Sequence, residues 1–154
     1  MKKIKITSEK QNELGISQTG ISEELNLSGS RSFYGATKLS SELFLQEYSA
    51  FYNINAAITR FGVVAGPRQM GKSDQGIVTL WLAKHFWKQQ LSYIGYGGYG
   101  KQVRDILHVD DVFELIDMQI HNINLFAGKI YNAGGGLNNS CSLLEMTKIC
   151  EEIT

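Results

Sequence analysis

The sequence predicts an α/β fold with a mainly parallel sheet. Short apolar runs rich in Ala, Ile, Phe and Val alternate with stretches of helical spacing, and Gly clusters fall where those runs end. Such alternation is the mark of strands joined by helical crossovers. The 154 residues contain no internal repeat and have the size of one domain, and a chain this long can bury about 70% of its unfolded surface.

Residues 1–31 are rich in Ser, Glu, Asn and Gly without a sustained period, and read as an irregular connection. From Tyr34 to about Tyr52 no Gly or Pro follows Gly35. Leu39, Leu43, Gln46, Glu47 and Ala50 keep helical spacing there, with Leu39 and Leu43 on the apolar stripe. Ala56 to Ala65 is apolar and stops at Gly66-Pro67, as a buried strand does. A second helix is predicted from Gly76 to Gln89, with Asp74 as its cap and Ile77, Leu80, Trp81, Lys84 and Trp87 near one face. Ser92 to Ile94 reads as a short strand and Val103 to Val109 as an extended segment. Asp110 or Asp111 should cap a helix reaching about Asn122, and Ile130 to Ala133 should form the last strand. Ser142 to Ile153 closes as a helix, with Glu145 at the spacing of a capping box from Ser142.

Composition excludes several classes. Fifteen Lys and Arg balance fifteen Asp and Glu, so no positive field gathers nucleic acid or an anionic membrane. The Lys-rich start at Met1 lacks the apolar stretch of a signal peptide, and no run approaches the roughly 18 apolar residues of a membrane span. A cytoplasmic protein is expected. Cys141 and Cys150 form no C-x-x-C pair and His108 has no ligand-spaced partner, so no metal site is expected and the thiols read as packing groups. Asp110 and Asp111 read as helix-capping groups before an acid/base pair.

Three motifs invite chemistry. Gly95-Tyr96-Gly97-Gly98-Tyr99-Gly100 fits G-x-G-x-x-G but leads into an extended segment, and that motif binds a pyrophosphate only where it opens a helix. It reads as a turn. Gly66 to Ser73 fits G-x-x-x-x-G-K-S after a strand and before a helix, which makes a phosphate loop with Lys72 the rival function. Against it, Asp74 puts a carboxylate where the anion would lie and Gly76 weakens the first helical turn.

The third motif is Tyr34 and Lys38, four residues apart at the start of a helix, which brings the ammonium beside the phenol ring. A phenol of pKa about 10 is a poor base at neutral pH, and a neighbouring positive charge favours its ionised form. Alone, the spacing is as well explained by an ordinary surface pair. It does not stand alone. Ser32-Phe33-Tyr34-Gly35-Ala36-Thr37-Lys38 is followed by Arg60-Phe61-Gly62-Val63-Val64-Ala65-Gly66-Pro67-Arg68-Gln69. Next come Gln102-Val103-Arg104-Asp105-Ile106-Leu107-His108-Val109-Asp110-Asp111 and Tyr131-Asn132-Ala133-Gly134-Gly135-Gly136.

This series, in this order, resembles the extended short-chain dehydrogenase/reductases of the NAD-dependent epimerase/dehydratase family, over residues 20–154. The stretches Gly66 to Ile77 and Tyr93 to Asp105 are most similar to the CDP-paratose 2-epimerase (CDP-tyvelose epimerase) branch. In that branch the Gly-Lys before Asp74-Gln75-Gly76 belongs to a substrate loop. The resemblance implies the carboxyl-terminal part of a Rossmann-like sheet plus a small substrate-binding region. It divides the chain into residues 1–31 as connection, 32–70 as catalytic helix and strand, and 71–154 as the nucleotide-sugar-binding part.

It also implies roles. Tyr34 would be the base and Lys38 its partner, both touching NAD. Phe61 and Val64 would pack near the nicotinamide, and Gln75, Gly76, Tyr93 and Arg104 would take the nucleotide sugar, with Arg104 on the diphosphate. The substrate would be CDP-linked, the reaction a transient oxidation to a keto-sugar, and a homo-oligomer is compatible with the family.

There are departures. The family's G-x-x-G-x-x-G turn, which binds the NAD pyrophosphate, does not occur before Tyr34, and Val63 stands where many relatives carry an Asn. The usual catalytic Ser or Thr upstream is missing or at best represented by Thr7 or Ser8, and Thr154 falls short of the family's closing segment. The expectation is a chain truncated at both ends, an isomerase by family but inactive by itself. A phosphate-loop nucleotide-binding protein and a non-catalytic binding fragment are the alternatives.

Overall fold

The computed structural model describes residues 13–72 and 75–154. Thr7, Ser8 and Asp74 lie outside the described residues. Helix α1 (Phe33–Tyr52) begins where the Ser32 side chain accepts a hydrogen bond from the Gly35 amide at 3.1 Å. It ends at Asn53, whose φ of 54° lies in the left-handed region that Asn tolerates better than most residues. The inward face runs through Gly35, Leu39, Glu42 and Ser49. Leu43, expected beside Leu39 on the apolar stripe, is 55% exposed, because Glu42 is the residue turned inward, toward Arg60.

The apolar run from Ala56 to Ala65 forms two strands, β1 (Ile58–Phe61) and β2 (Val63–Ala65), parted at Gly62. β1 lies parallel to β4 (Ile130–Ala133), with Ile58 opposite Ile130 and Phe61 opposite Ala133. β2 lies parallel to β3 (Val103–His108), with Val63 opposite Ile106 and Ala65 opposite His108. β5 (Ser140–Ser142) adds antiparallel to β3. The result is a pair of sheets, β1-β4 and β2-β3-β5, mainly parallel as the strand and helix alternation predicts.

Residues distant in sequence hold Gly62 at the break. Gly62 donates its amide to the Ala133 carbonyl at 2.8 Å, which closes the first sheet. A Cβ at Gly62 would sit 2.8 Å from Oδ1 of Asp105, and one at Gly134 would overlap the other oxygen of the same carboxylate.

Helix α2 (Ile77–Phe86) is preceded by Gly76 at φ 70°, with no side-chain cap. Its Trp81, 4% exposed, anchors a core with Leu143, Met146 and Cys150, edged by Ile77, Leu91, Tyr93 and Ile106. Trp87, expected on the same face, lies past the helix end and is exposed. Ser92 to Ile94 is not a strand. The Tyr93 ring stacks on Trp81 at 6.0 Å and its hydroxyl shares a 2.8 Å hydrogen bond with Thr147, so side-chain packing holds this segment in place of a ladder.

Helix α3 (Val109–His121) is capped by His108, whose Nδ1 accepts from the Asp110 amide at 3.2 Å. Asp110 and Asp111 therefore sit in the first turn and not at the cap, a position the helix dipole also favours for acids. A short helix, α4 (Ile123–Phe126), leads to β4. Helix α5 (Leu143–Ile153) carries the full capping box, with the Glu145 amide on the Ser142 hydroxyl at 3.2 Å and the Ser142 amide on the Glu145 carboxylate at 3.0 Å. Burial, and to a smaller degree the nearby Cys141 and Glu151, push the Cys150 thiol up from its ordinary range, consistent with a packing role.

Ahead of α1 the described chain has a single bridge, between Ile16 and Ile21. It is fastened to the outer edge of β4. The Glu23 carboxylate accepts from the Asn132 amide at 2.5 Å, and the Asn132 side chain donates to the Ile21 carbonyl at 3.2 Å. The Asn132 amide, then the residue's own amide and the charge of Arg60, hold the Glu23 carboxyl below its usual range against a smaller opposing effect of burial. No described helix is long and apolar enough to cross a membrane.

Candidate functional site

The first turns of α1 carry Tyr34 and Lys38 on one side. The ammonium of Lys38 lies over the Tyr34 ring, 5.3 Å from its centroid, within the range of a cation–π contact. Tyr34 is 67% exposed, so its hydroxyl is open to a reactant. Below this pair, Arg60 on β1 grips Glu42 with both arms: Nε to Oε1 at 2.9 Å and the guanidinium NH2 to Oε2 at 2.6 Å. Glu42 is the first cause of the raised pKa of Arg60.

This clamp sets the register of helix and strand. β1 runs back along α1, and Arg60 lies beside Glu42. From that level Lys38 and Tyr34 stand about 6 and 12 Å further up the helix at about 1.5 Å per residue. Phe61 follows Arg60 on β1, and Val64 lies past Gly62 on β2. Phe61 at the end of β1 is partly exposed.

The predicted substrate residues lie in the other half of the molecule. Gln75 and Gly76 precede α2, where the Gln75 carbonyl accepts from the Lys72 amide at 2.7 Å. Tyr93 spends its hydroxyl on Thr147. Arg104 is exposed on β3 opposite Cys141, with its guanidinium bonded to the Val103 carbonyl at 2.8 Å. Alternation places it on the same face as Ile106 and His108. These two line a groove of about 950 Å³ with the turn from Gly66 to Gln69, Thr79 of α2 and Glu145 of α5. None of the eight predicted site residues is among its lining residues.

The model of the NAD dependent epimerase/dehydratase family matches residues 10–134. The chain belongs to the NAD-dependent epimerase/dehydratase family. It is 32% identical over 121 residues to CDP-paratose 2-epimerase of Salmonella typhi, across 77% of this chain and 36% of that protein. The UDP-glucuronic acid 4-epimerase of Bacillus cereus, solved with UDP-glucuronic acid and NAD, superposes with a TM-score of 0.74 at 26% identity, over 92% of this chain and 43% of that one. The dTDP-glucose 4,6-dehydratase of Bacillus anthracis, solved with NAD, gives 0.72 at 27% identity, over 90% and 42%. The chain therefore spans less than half the length of these relatives.

The local geometry from Gly66 to Lys72 is not that of a phosphate loop. α2 begins at Ile77, more than a turn beyond Lys72, whereas a phosphate loop needs the helix to start at the Lys so that its amides face the anion. Gly66 packs on Val109 so closely that a Cβ would overlap the valine methyl. Saturating magnesium-ATP is expected to leave the melting temperature unchanged. A ligand at 100 times its dissociation constant stabilises by about 2.7 kcal/mol, so a clear rise in a thermal-shift assay would restore the nucleotide-loop reading. Gly95 to Gly100 is a turn with a short 3-10 segment at Tyr96–Gly98, and the chain after Gly100 runs into β3, not into a helix.

Sequence reasoning missed three residues that shape this region: Glu42, Arg60 as its partner, and Asp105. Glu42 sits one turn beyond Lys38, so its place on that side of the helix was readable. The pairing with Arg60 and the placing of the Asp105 carboxylate against Gly62 and Gly134 are tertiary facts.

Proposed function

We propose that this chain supplies the base and part of the substrate site of a cytoplasmic, NAD-dependent nucleotide-sugar epimerase whose substrate is CDP-linked. The observation that carries this reading is the Lys38 ammonium held over the Tyr34 ring on the exposed first turns of α1. The similarity to CDP-paratose 2-epimerase supports the choice of nucleotide. NAD fits the residues present: an exposed phenol and ammonium stand side by side, and Phe61, the residue after Arg60 on β1, is a partly exposed aromatic. NAD, when bound, accepts a hydride from the sugar and returns it.

Tyr34 Oη takes the proton of the sugar hydroxyl as the carbon is oxidised, and gives it back on return. Lys38 stands beside the ring to offset the charge that forms on that oxygen and to bind the nicotinamide ribose. Phe61 and Val64 exclude water from the nicotinamide side. Arg104 presents a planar fork of donors to the diphosphate, and Gln75, Gly76 and Tyr93 flank the nucleotide. The keto-sugar turns over between the two transfers, so configuration inverts with no net redox change. Homo-oligomers are compatible with this reading.

The 154 residues carry no G-x-x-G-x-x-G turn ahead of Tyr34, and we propose that by themselves they do not hold NAD or turn over substrate. Calorimetric titration of NAD into the 154-residue chain should show no binding. The same chain joined to a segment with that turn should bind NAD and form NADH in a single turnover with a CDP-linked sugar. Tight NAD binding by the short chain, or a long one that binds both ligands and forms no NADH, would overturn the proposal.

A further inference from the structure

Tyr34, Lys38 and Glu42 follow one another at four-residue steps on α1, so each neighbours the next on the helix surface. The Lys38 ammonium thus has two attractive neighbours, the Tyr34 ring one turn toward the amino end and the Glu42 carboxylate one turn toward the carboxyl end. Attraction to an exposed aromatic face and to a carboxylate four residues away are of the same order. Left to these two alone, the ammonium would divide its time between them.

The structure shows the contest decided. Lys38 lies over the ring at 5.3 Å. Both oxygens of Glu42 are occupied by Arg60, Nε reaching them at 2.9 and 3.1 Å and NH2 reaching Oε2 at 2.6 Å. The side chains of this pair are only 23% and 16% exposed, and a forked, charge-assisted contact of this kind outweighs a single exposed one. The other acid whose charge reaches Arg60, Glu23, is itself engaged by the Asn132 amide.

We infer that Arg60 is a positioning residue for the Tyr34–Lys38 pair: by taking both oxygens of Glu42 it removes the competitor for the Lys38 ammonium and leaves that charge beside the phenol. The inference rests on the reading of Tyr34 and Lys38 as the working pair. It gives Arg60 a task beyond fastening α1 to β1, because the loss of Arg60 would free a carboxylate within reach of Lys38 as well as loosening the helix.

Proton NMR of the 154-residue chain separates these effects and needs no cofactor. The signals to follow are the upfield ring-current shift of the Lys38 Hε protons and their cross-peaks to the Tyr34 ring, with Tyr34→Leu defining the ring's contribution. The parent should show both. Arg60→Met should weaken them clearly, Glu42→Gln should keep them, and Arg60→Met with Glu42→Gln should regain them, since the double variant lacks the clamp but also lacks the competitor. If Arg60→Met keeps the full shift, or if the double variant fails to restore it, the inference is wrong and Arg60 is a fastening only. If the parent itself shows no ring-current shift, the Tyr34–Lys38 pair does not exist in solution and the functional reading goes with it.

Discussion

Tyr34→Phe, made in a protein that joins these residues to a G-x-x-G-x-x-G segment and binds NAD, is expected to slow NADH formation about 100- to 10,000-fold. That is the contribution typical of a placed general base. The effect should fall on the chemical step alone. Phe keeps the ring under Lys38, the Ser32 cap is untouched, and Tyr34 is exposed and outside the core. Stability should therefore stay within about 0.5 kcal/mol of the parent. In single-turnover kinetics kcat and kcat/KM should drop together, with the affinity for the CDP-linked sugar nearly constant. Arg104→Ala should do the reverse, weakening sugar-nucleotide binding through loss of a charge-assisted contact. A Phe variant within tenfold of its parent would remove Tyr34 from the base's role.

Trp81→Ala should cost about 3–5 kcal/mol of folding stability, the usual range for emptying a buried Trp site. The ring is packed among Leu143, Met146 and Cys150 and stacked on Tyr93, and its Nε1 donates to Thr147 at 2.9 Å. Thr147 would not be orphaned by the change, since it still meets the Tyr93 hydroxyl and the Leu143 carbonyl. The cost is then one of lost packing between α2 and α5. Domains of this kind hold about 5–15 kcal/mol in total, so the urea midpoint should fall steeply. A loss under about 1.5 kcal/mol, the range of volume-conserving core exchanges, would show that this cluster does not hold the fold together.

The parts of the fold that local chemistry decides were legible in the sequence. Ser142 and Glu145 announced the start of α5, the stretch free of Gly and Pro after Gly35 announced α1, and a four-residue step announced that Lys38 would lie beside Tyr34. Features decided by distant residues were not. The run from Ala56 to Ala65 holds Gly62 but no sign that the Asp105 carboxylate lies against it. Ser92 to Ile94 has the apolar content of a strand, yet Tyr93 is drawn to Trp81 and Thr147. His108 took the cap expected of Asp110 or Asp111 because its ring nitrogen reaches the amide two residues on. Nothing local to Glu42 announces its pairing with Arg60, eighteen residues on.

Gly62 joins the sheet of β1, which leads from the base-bearing helix, to the sheet of β3, which bears Arg104. It is the shortest covalent path between them. The two sheets are also joined through α3 and α4 and through Gly134 to Asn139, but only at Gly62 does the link rest on the two soft torsions of one residue. That residue is tied by its amide to Ala133 and stopped by the Asp105 carboxylate. A joint pinned in this way leaves β1 and β2 little freedom to turn about Gly62, so the end of the strand beside α1 and the start of the strand beside β3 move together.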